Sequence, residues 1–223
     1  MRHFDEIKHQ FFNDEGQEIP SITQILSIIN KKGLLKWANY LGFKRIDCDK
    51  YLNEKAMIGT LLHDRISKFL NGEEYKPHIS MEIEKTVKTL FDYFMQWYEI
   101  SNMKLIYSEK MYNNNKYGGI VDLLCEINGE VYLIDFKTSK RIHGSQLLQL
   151  AGYLTLIETE EPELYDKIRH CQILSFTPKN IISESRTIKE MEDYKSIFKN
   201  SYILFSEYDK ILRREWNDTA SAK

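Results

Sequence analysis

The chain has few residues of the kinds that build disulfide frameworks or membrane spans. Its three cysteines, Cys48, Cys125 and Cys171, are odd in number and widely separated, which argues against a disulfide scaffold and against a cysteine-only metal site. No apolar run approaches the roughly 18 residues that cross a bilayer. The N-terminus lacks the apolar core of a signal peptide. These absences predict a cytoplasmic protein with reduced thiols and no membrane partner.

The chain also lacks an excess of charge of either sign. The formal net charge is −2 over 223 residues, so the overall field does not favour nucleic acid, and nucleic-acid binding would need a local patch or a metal ion. Hydrophobic residues make up 42% of the chain and aromatic residues 13%, which is enough for a substantial core. We expect a single domain over residues 1–223.

Hydrophobic periodicity and turn residues predict an α/β (α+β) fold with a mixed central sheet flanked by helices. The first part, 1–100, is predicted to be mostly helical, the sheet core to span 101–190 and a last helix to span 188–216. The predicted helices are 22–29, 34–41, 55–70, 79–100, 146–158 and 188–216, and the predicted strands are 104–112, 119–127, 130–137, 169–177 and 181–187.

The clearest local signal is Asn128-Gly129 between two apolar runs, which predicts a hairpin with a two-residue turn. This turn fixes the register, so Asp122 faces Asp135, and Lys137 lies on the same face as Asp135. Directly opposed Cβ atoms are about 4.5–5.5 Å apart, and like charges at that distance destabilise a sheet. A divalent cation is the obvious compensation.

Two aspartates and a lysine on one face suit phosphodiester hydrolysis, because hard oxygen ligands select Mg²⁺ or Mn²⁺. The alternative is a surface hairpin whose charges face solvent. The predicted neighbouring pairs on this face are apolar or large, Leu124 opposite Leu133 and Ile120 opposite Lys137. We therefore favour a functional site over a solvated surface.

Other polar residues fall at positions where they could join this site. His63 shares a helical face with apolar residues, so it is either an ordinary core histidine or a metal ligand. Gln149 and Tyr153 are four residues apart on a helix and share a face, either through packing or to meet a substrate. Lys140 and Arg141 could contact phosphates, although short charged runs are usually solvated loops.

The ordered set of these motifs resembles the PD-(D/E)xK nuclease superfamily, in particular its RecB-like and phage-type exonuclease branch. That resemblance implies a restriction-endonuclease-like fold and a metal-dependent nuclease that acts on DNA, with an exonuclease favoured over an endonuclease. It covers roughly residues 19–153. The matching segments are Ile19-Pro20-Ser21-Ile22-Thr23-Gln24-Ile25-Leu26, Gly59-Thr60-Leu61-Leu62-His63, Gly119-Ile120-Val121-Asp122, Asp135-Phe136-Lys137-Thr138 and Gln149-Leu150-Ala151-Gly152-Tyr153.

The resemblance also implies a role for each matched residue. Asp122 and Asp135 would bind Mg²⁺ or Mn²⁺, together with the backbone carbonyl of Phe136. His63 would complete the metal shell, and Lys137 would be the catalytic lysine.

Three further residues receive supporting roles from the same resemblance. Gln149 and Tyr153 would form the motif that follows the lysine, and Glu109 would be an additional acidic ligand, unless it is a solvent-facing strand residue. No iron–sulfur cluster is expected, because the three cysteines are not grouped.

No phosphate-binding Gly-x-x-x-x-Gly-Lys-Ser/Thr loop is present. The protein would therefore act alone, as a homo-oligomer or with a recruiting partner. Two alternatives stay open: an endonuclease on the same fold, and a non-catalytic module that binds nucleic acid or a partner protein.

Overall fold

The computed structural model describes residues 2–5, 8, 10–29 and 33–221, with side chains up to residue 212. It is a mixed α/β structure with a five-stranded sheet and a small three-stranded sheet. The strands are β1 His3–Asp5, β2 Gln10–Phe12, β3 Glu18–Ile19, β4 Lys104–Asn113, β5 Gly118–Ile127, β6 Glu130–Lys137, β7 Ile168–Phe176 and β8 Ile181–Thr187. The helices are α1 Ile22–Ile25, which continues into a 3-10 turn Leu26–Ile28, α2 Leu34–Phe43, α3 Cys48–Leu70, α4 Met81–Ser101, α5 Gly144–Glu160, α6 Pro162–Tyr165 and α7 Ile188–Ser221.

The larger sheet has the order β4-β5-β6-β7-β8. Its neighbours are antiparallel except β6 and β7, which are parallel. A parallel pair needs a crossover connection, which α5 and α6 provide. The prediction of a mixed sheet with helices on its faces is therefore confirmed.

Helices cover both faces of this sheet. Along the central hairpin, Leu124 and Leu133 belong to a core shared with α1, α5 and α7. Their neighbours Leu123 and Ile134 belong to a second core, shared with α3 and α4. Since successive side chains of a strand point to opposite faces, this division explains why the hairpin is apolar almost throughout, and it leaves any charged residue at its centre in a buried position.

The first hundred residues differ from the predicted, mostly helical arrangement in containing β1, β2 and β3. These antiparallel strands are only two or three residues long, too short to show a period of two in the sequence. Phe4 pairs with Phe11 across β1 and β2. The sheet is anchored to β5 at Gly118, whose N–H donates to the Pro20 carbonyl over 3.0 Å.

Two helices differ clearly from their predicted form, and the last helix continues to Ser221 rather than ending at 216. The third helix begins at Cys48 rather than residue 55, because the Asp47 carboxylate accepts the Lys50 N–H at 2.9 Å and caps it. The segment predicted as a helix over 22–29 has one α-helical turn, capped by Ser21, before it tightens into the 3-10 turn. Ile29 is already extended, with ψ 118°. None of the helices among the described residues is long and apolar enough to cross a membrane.

The predicted hairpin register is confirmed from the turn as far as the pair before the aspartates. Asn128 and Gly129 have φ of 53° and 84°, as the favoured hairpin turn requires, and Ile127 pairs with Glu130. The ladder ends at the pair Leu123 and Ile134. The predicted pair of Ile120 with Lys137 is therefore wrong.

The physical reason lies one residue further along β5, at Asp122, and two residues further along β6, at Phe136. The Phe136 N–H donates to Oδ2 of Asp122 over 2.7 Å, so a side chain replaces the backbone of β5 as the partner of that N–H. Beyond this point β5 continues to pair with β4, for example through Val121 and Lys110.

Candidate metal centre

Three carboxylates lie at one level across three neighbouring strands. In the β4–β5 ladder, Ser108 pairs with Leu123 and Lys110 with Val121, which places Glu109 level with Asp122. The β5–β6 ladder ends at Leu123 and Ile134, and its register continued by one residue puts Asp122 level with Asp135. Glu109 has φ of 50°, a left-handed conformation that is rare for residues other than glycine and typically costs about 1–3 kcal/mol. Such strain is often found at functional sites.

Helix α3 brings His63 to this row of acids. The imidazole Nδ1 lies 3.4 Å from Oδ1 of Asp122 and 3.7 Å from Oε1 of Glu109. Its Nε2 lies 3.1 Å from the carbonyl oxygen of Phe136. One ligand atom from each of His63, Glu109 and Asp122 can be chosen so that all three lie within 4.8 Å of one another, a geometry that could hold a metal ion.

Asp135 lies beside this group of three and is not one of its members. Its side chain is 0% exposed and forms an ion pair with the Lys137 ammonium through Oδ2. Apart from this contact, no hydrogen bond from the described residues reaches either carboxyl oxygen. A fully buried carboxylate with so few hydrogen bonds is costly. The prediction that Asp135 and Lys137 share one face is confirmed. The Asp135 carboxylate still has lone pairs that no hydrogen-bond donor among the described residues meets.

The charges of His63 and Asp122 depend on each other. Burial would lower the pKa of the His63 imidazole, but the Asp122 carboxylate raises that pKa to about 9. Burial would likewise raise the pKa of Asp122, but His63, Lys137 and the Phe136 N–H hold it below its ordinary value. At neutral pH the structure therefore contains an imidazolium paired with a carboxylate.

The two other acids shift in the opposite direction. Burial, followed by the charge of Asp122, raises the pKa of Glu109 to about 7. Burial raises the pKa of Asp135 to about 6, even though the nearby Lys137 ammonium opposes the shift. Strongly shifted carboxylates that cluster with a histidine and a lysine are a feature of functional sites.

Helix α5 contributes Gln149 and Tyr153, as predicted from their spacing. The Gln149 side-chain amide donates to the Tyr153 hydroxyl over 2.7 Å. Burial and the charges of Asp135 and Asp122 raise the pKa of Tyr153 well above its usual value. The phenol therefore stays protonated and can donate a hydrogen bond.

Lys140 and Arg141 lie in the loop that connects β6 to α5, and both are exposed. Within the described part of the chain, no contact links either side chain to the carboxylates. The loop is held instead by Ser139, whose hydroxyl donates to the Arg141 carbonyl over 2.8 Å. Their position directly after Lys137 leaves them available to a molecule that approaches from solvent.

A cavity of about 240 Å³ opens beside Asp122 and Tyr153. It is lined by two aromatic rings of the small sheet, by hydroxyl groups that precede and begin α1, and by the start of β5; these residues include Phe4, Phe11, Ser21, Thr23 and Gly119. Sequence reasoning missed Phe4 and Phe11. The available signal was their place in two short aromatic segments before the first predicted helix.

Comparisons with known proteins leave the family open. No family model matches the chain, and no curated protein matches it. Solved structures do match, among them one titled "Crystal structure of SSO0001". It aligns with a TM-score of 0.32 and 15% sequence identity, over 56% of this chain and 61% of that chain, which is less than two thirds of its length. This degree of likeness assigns neither a fold family nor an activity.

The raised pKa of Glu109 predicts how this residue affects stability. An acid whose pKa rises from 4.5 to about 7 on folding destabilises the fold as the pH increases through this window, and the cost is complete above it. With chelator present, we expect the free energy of unfolding of Glu109→Gln, measured in urea at pH 8, to exceed that of wild type. The expected difference is about 1 kcal/mol after allowance for solvent screening.

The difference should vanish near pH 4, where Glu109 is protonated in both states. Glu99→Gln, an exposed change on α4, serves as the control and should leave stability nearly unchanged at both pH values. Equal stability of the Glu109→Gln variant and wild type at pH 8 would contradict the electrostatic strain described here.

Proposed function

We propose that this protein is a metal-dependent nuclease that hydrolyses DNA phosphodiester bonds, with a restriction-endonuclease-like fold of the PD-(D/E)xK type. The observation that carries the proposal is the fully buried Asp135 carboxylate, which has no hydrogen-bond partner among the described residues apart from the Lys137 ammonium, beside the group His63, Glu109 and Asp122. Burying several acids at one level of a sheet costs free energy, and a purely structural role does not explain that cost.

The donor atoms fit a hard divalent cation. Carboxylate oxygens dominate, a backbone carbonyl lies beside the imidazole, and this donor set suits Mg²⁺ or Mn²⁺. His63, Glu109 and Asp122 would hold the ion, with Asp135 and the Phe136 carbonyl close to the same position. A cation bound there would neutralise charge on the scissile phosphate and lower the pKa of water.

The remaining polar residues act on the substrate. The Lys137 ammonium, held by Asp135 at the edge of the group, orients the attacking water and offsets the negative charge that develops on the phosphate. The Tyr153 phenol, fixed by Gln149, donates a hydrogen bond to a phosphate oxygen. Lys140 and Arg141 contact the phosphates of the strand beyond the cleavage point.

Metal binding should compete with protons. His63 must lose the proton that it holds with a pKa of about 9, and Glu109, with a pKa of about 7, must also ionise. Calorimetric titration with Mn²⁺ should therefore show affinity that rises between pH 6 and pH 9, by roughly tenfold per pH unit for each proton released. Titrations in two buffers of different ionisation enthalpy count these protons.

The control for metal binding is on the exposed surface of α4. Asp122→Asn should weaken Mn²⁺ binding by at least about tenfold, whereas Asp92→Asn should leave it unchanged, because Asp92 is exposed and pairs with the exposed Lys88. Binding that is absent or independent of pH would favour the alternative of a non-catalytic scaffold.

Removal of the lysine should separate catalysis from folding. We expect Lys137→Ala to lower the rate of DNA cleavage by at least about a hundredfold, since it removes a group that acts in the transition state. Its circular dichroism spectrum should remain that of wild type. Lys88→Ala is the matched control and should cleave normally, and an undiminished rate for a pure Lys137→Ala preparation would refute the mechanism.

The mode of attack is tested with covalently closed circular DNA. The resemblance to phage-type exonucleases is the basis for proposing an exonuclease, which needs a free end and should leave the circle intact. Linear DNA labelled at its ends and incubated with Mg²⁺ or Mn²⁺ should be degraded progressively from an end. Loss of the closed circle in the same incubation would show an endonuclease on the same scaffold.

A further inference from the structure

Two glycines at the start of β5 let the residues that line the cavity pack closely against this strand. A Cβ at Gly118 would lie 2.2 Å from the Phe11 ring, so only glycine allows this ring to lie against the strand. A Cβ at Gly119 would lie 2.7 Å from Ile22 and 2.8 Å from the Tyr153 ring. The missing side chains bring the aromatic residues of the small sheet and of α5 to the same end of β5, next to Asp122.

The lining of the cavity selects the chemistry of its ligand. Phe4 and Phe11 supply a pair of aromatic rings whose centroids are 4.7 Å apart and inclined by 39°, while Ser21 and Thr23 supply hydroxyl groups. Among the described residues that line the cavity, Asp122 is the one that carries a charge. A phosphate in the cavity would face a carboxylate without a cation, whereas a flat neutral group could stack on a ring and accept or donate hydrogen bonds.

We propose that this cavity holds the base of the nucleotide adjoining the scissile phosphate, with Phe4 as its stacking platform. This inference rests on the proposed nuclease function. Phe4 is only partly buried, whereas Phe11 is 4% exposed and fixes the sheet to β5. A volume of about 240 Å³ is below the roughly 300–1,000 Å³ of pockets for drug-sized ligands and suits a single nucleoside.

This placement restricts the substrate to an unpaired nucleotide. A base can enter the cavity only after it leaves its stack and its partner, and the free energy required is smallest in single strands and frayed ends. The protein should therefore bind single-stranded DNA in preference to blunt duplexes of the same sequence. Aromatic stacking is tolerant of base identity, so the preference should not depend on which base is present.

The test is a series of single-stranded oligonucleotides in which one abasic residue is moved along the chain. Binding is measured by fluorescence anisotropy in the Lys137→Ala background with Mn²⁺, so that cleavage does not interfere. In that background, one position should stand out, with affinity reduced by roughly tenfold when its base is absent. The penalty at that position should disappear in the additional variant Phe4→Leu, which keeps an apolar side chain and removes the ring.

Phe12→Leu is the matched control. Phe12 follows Phe11 on β2, so it faces the other side of the small sheet, where it stacks on His3 at 4.6 Å, and its loss should leave the abasic penalty intact. A flat profile along the oligonucleotide, or a penalty that survives Phe4→Leu, would overturn the inference. If wild type still degrades DNA in that case, only the base pocket is refuted, whereas the absence of both binding and degradation would refute the nuclease proposal as well.

Discussion

The confinement of negative charge at the centre of the larger sheet is the constraint on which the rest of this structure depends. Glu109, Asp122 and Asp135 lie at one level on adjacent strands. Two unit charges 4 Å apart repel by about 4 kcal/mol at the effective dielectric constant typical near a protein surface. The fold must compensate this repulsion even before any ligand binds, and it does so with the His63 imidazolium and the Lys137 ammonium.

The backbone of Phe136 connects the two halves of this arrangement. Its N–H donates to Asp122 from β6, and its carbonyl oxygen lies 3.1 Å from His63. One peptide segment therefore orients an acid and the base that neutralises it. The Phe136 side chain is 1% exposed and packs in the core beneath α3 and α4, so the same residue that holds the polar group is fixed by apolar contacts.

The raised pKa values have a functional reading under the proposed mechanism. The raised pKa values let Glu109 and Asp135 take up protons below about pH 7 and pH 6, which reduces the charge of the group without a cation, and the protonated His63 Nδ1 lies 3.4 Å from Asp122. When a metal ion binds and these protons are lost, the positive charge of the ion replaces the protons in compensating the carboxylates. The site can then remain folded in both states, because neither state leaves the acids without positive charge or protons nearby.

Sequence reasoning predicted most of this centre because its central part is local. A two-residue turn fixes the register of the strands beside it, so the positions of Asp122, Asp135 and Lys137 followed from counting. The residues alone leave His63 as either a core histidine or a metal ligand, and only the family resemblance favours the ligand role and suggests Glu109, since their approach depends on the packing of α3 and on the left-handed backbone at Glu109. That Asp135 contacts Lys137 and lies outside the group of three depends on rotamers, which residue spacing does not determine.

The least predictable part of the molecule is also the part that connects the small sheet to the carboxylates. Strands of two or three residues carry no periodic signal, and their location depends on contacts with distant residues. The glycines at 118 and 119 are the visible trace of those contacts in the sequence, because each marks a place where another chain segment approaches the backbone of β5. The Phe11 ring lies against Gly118, and the Tyr153 ring lies against Gly119. A pair of glycines at the start of a buried strand thus lets the small sheet and α5 pack close to the same aspartate, and the side chains that approach these glycines line the cavity beside Asp122.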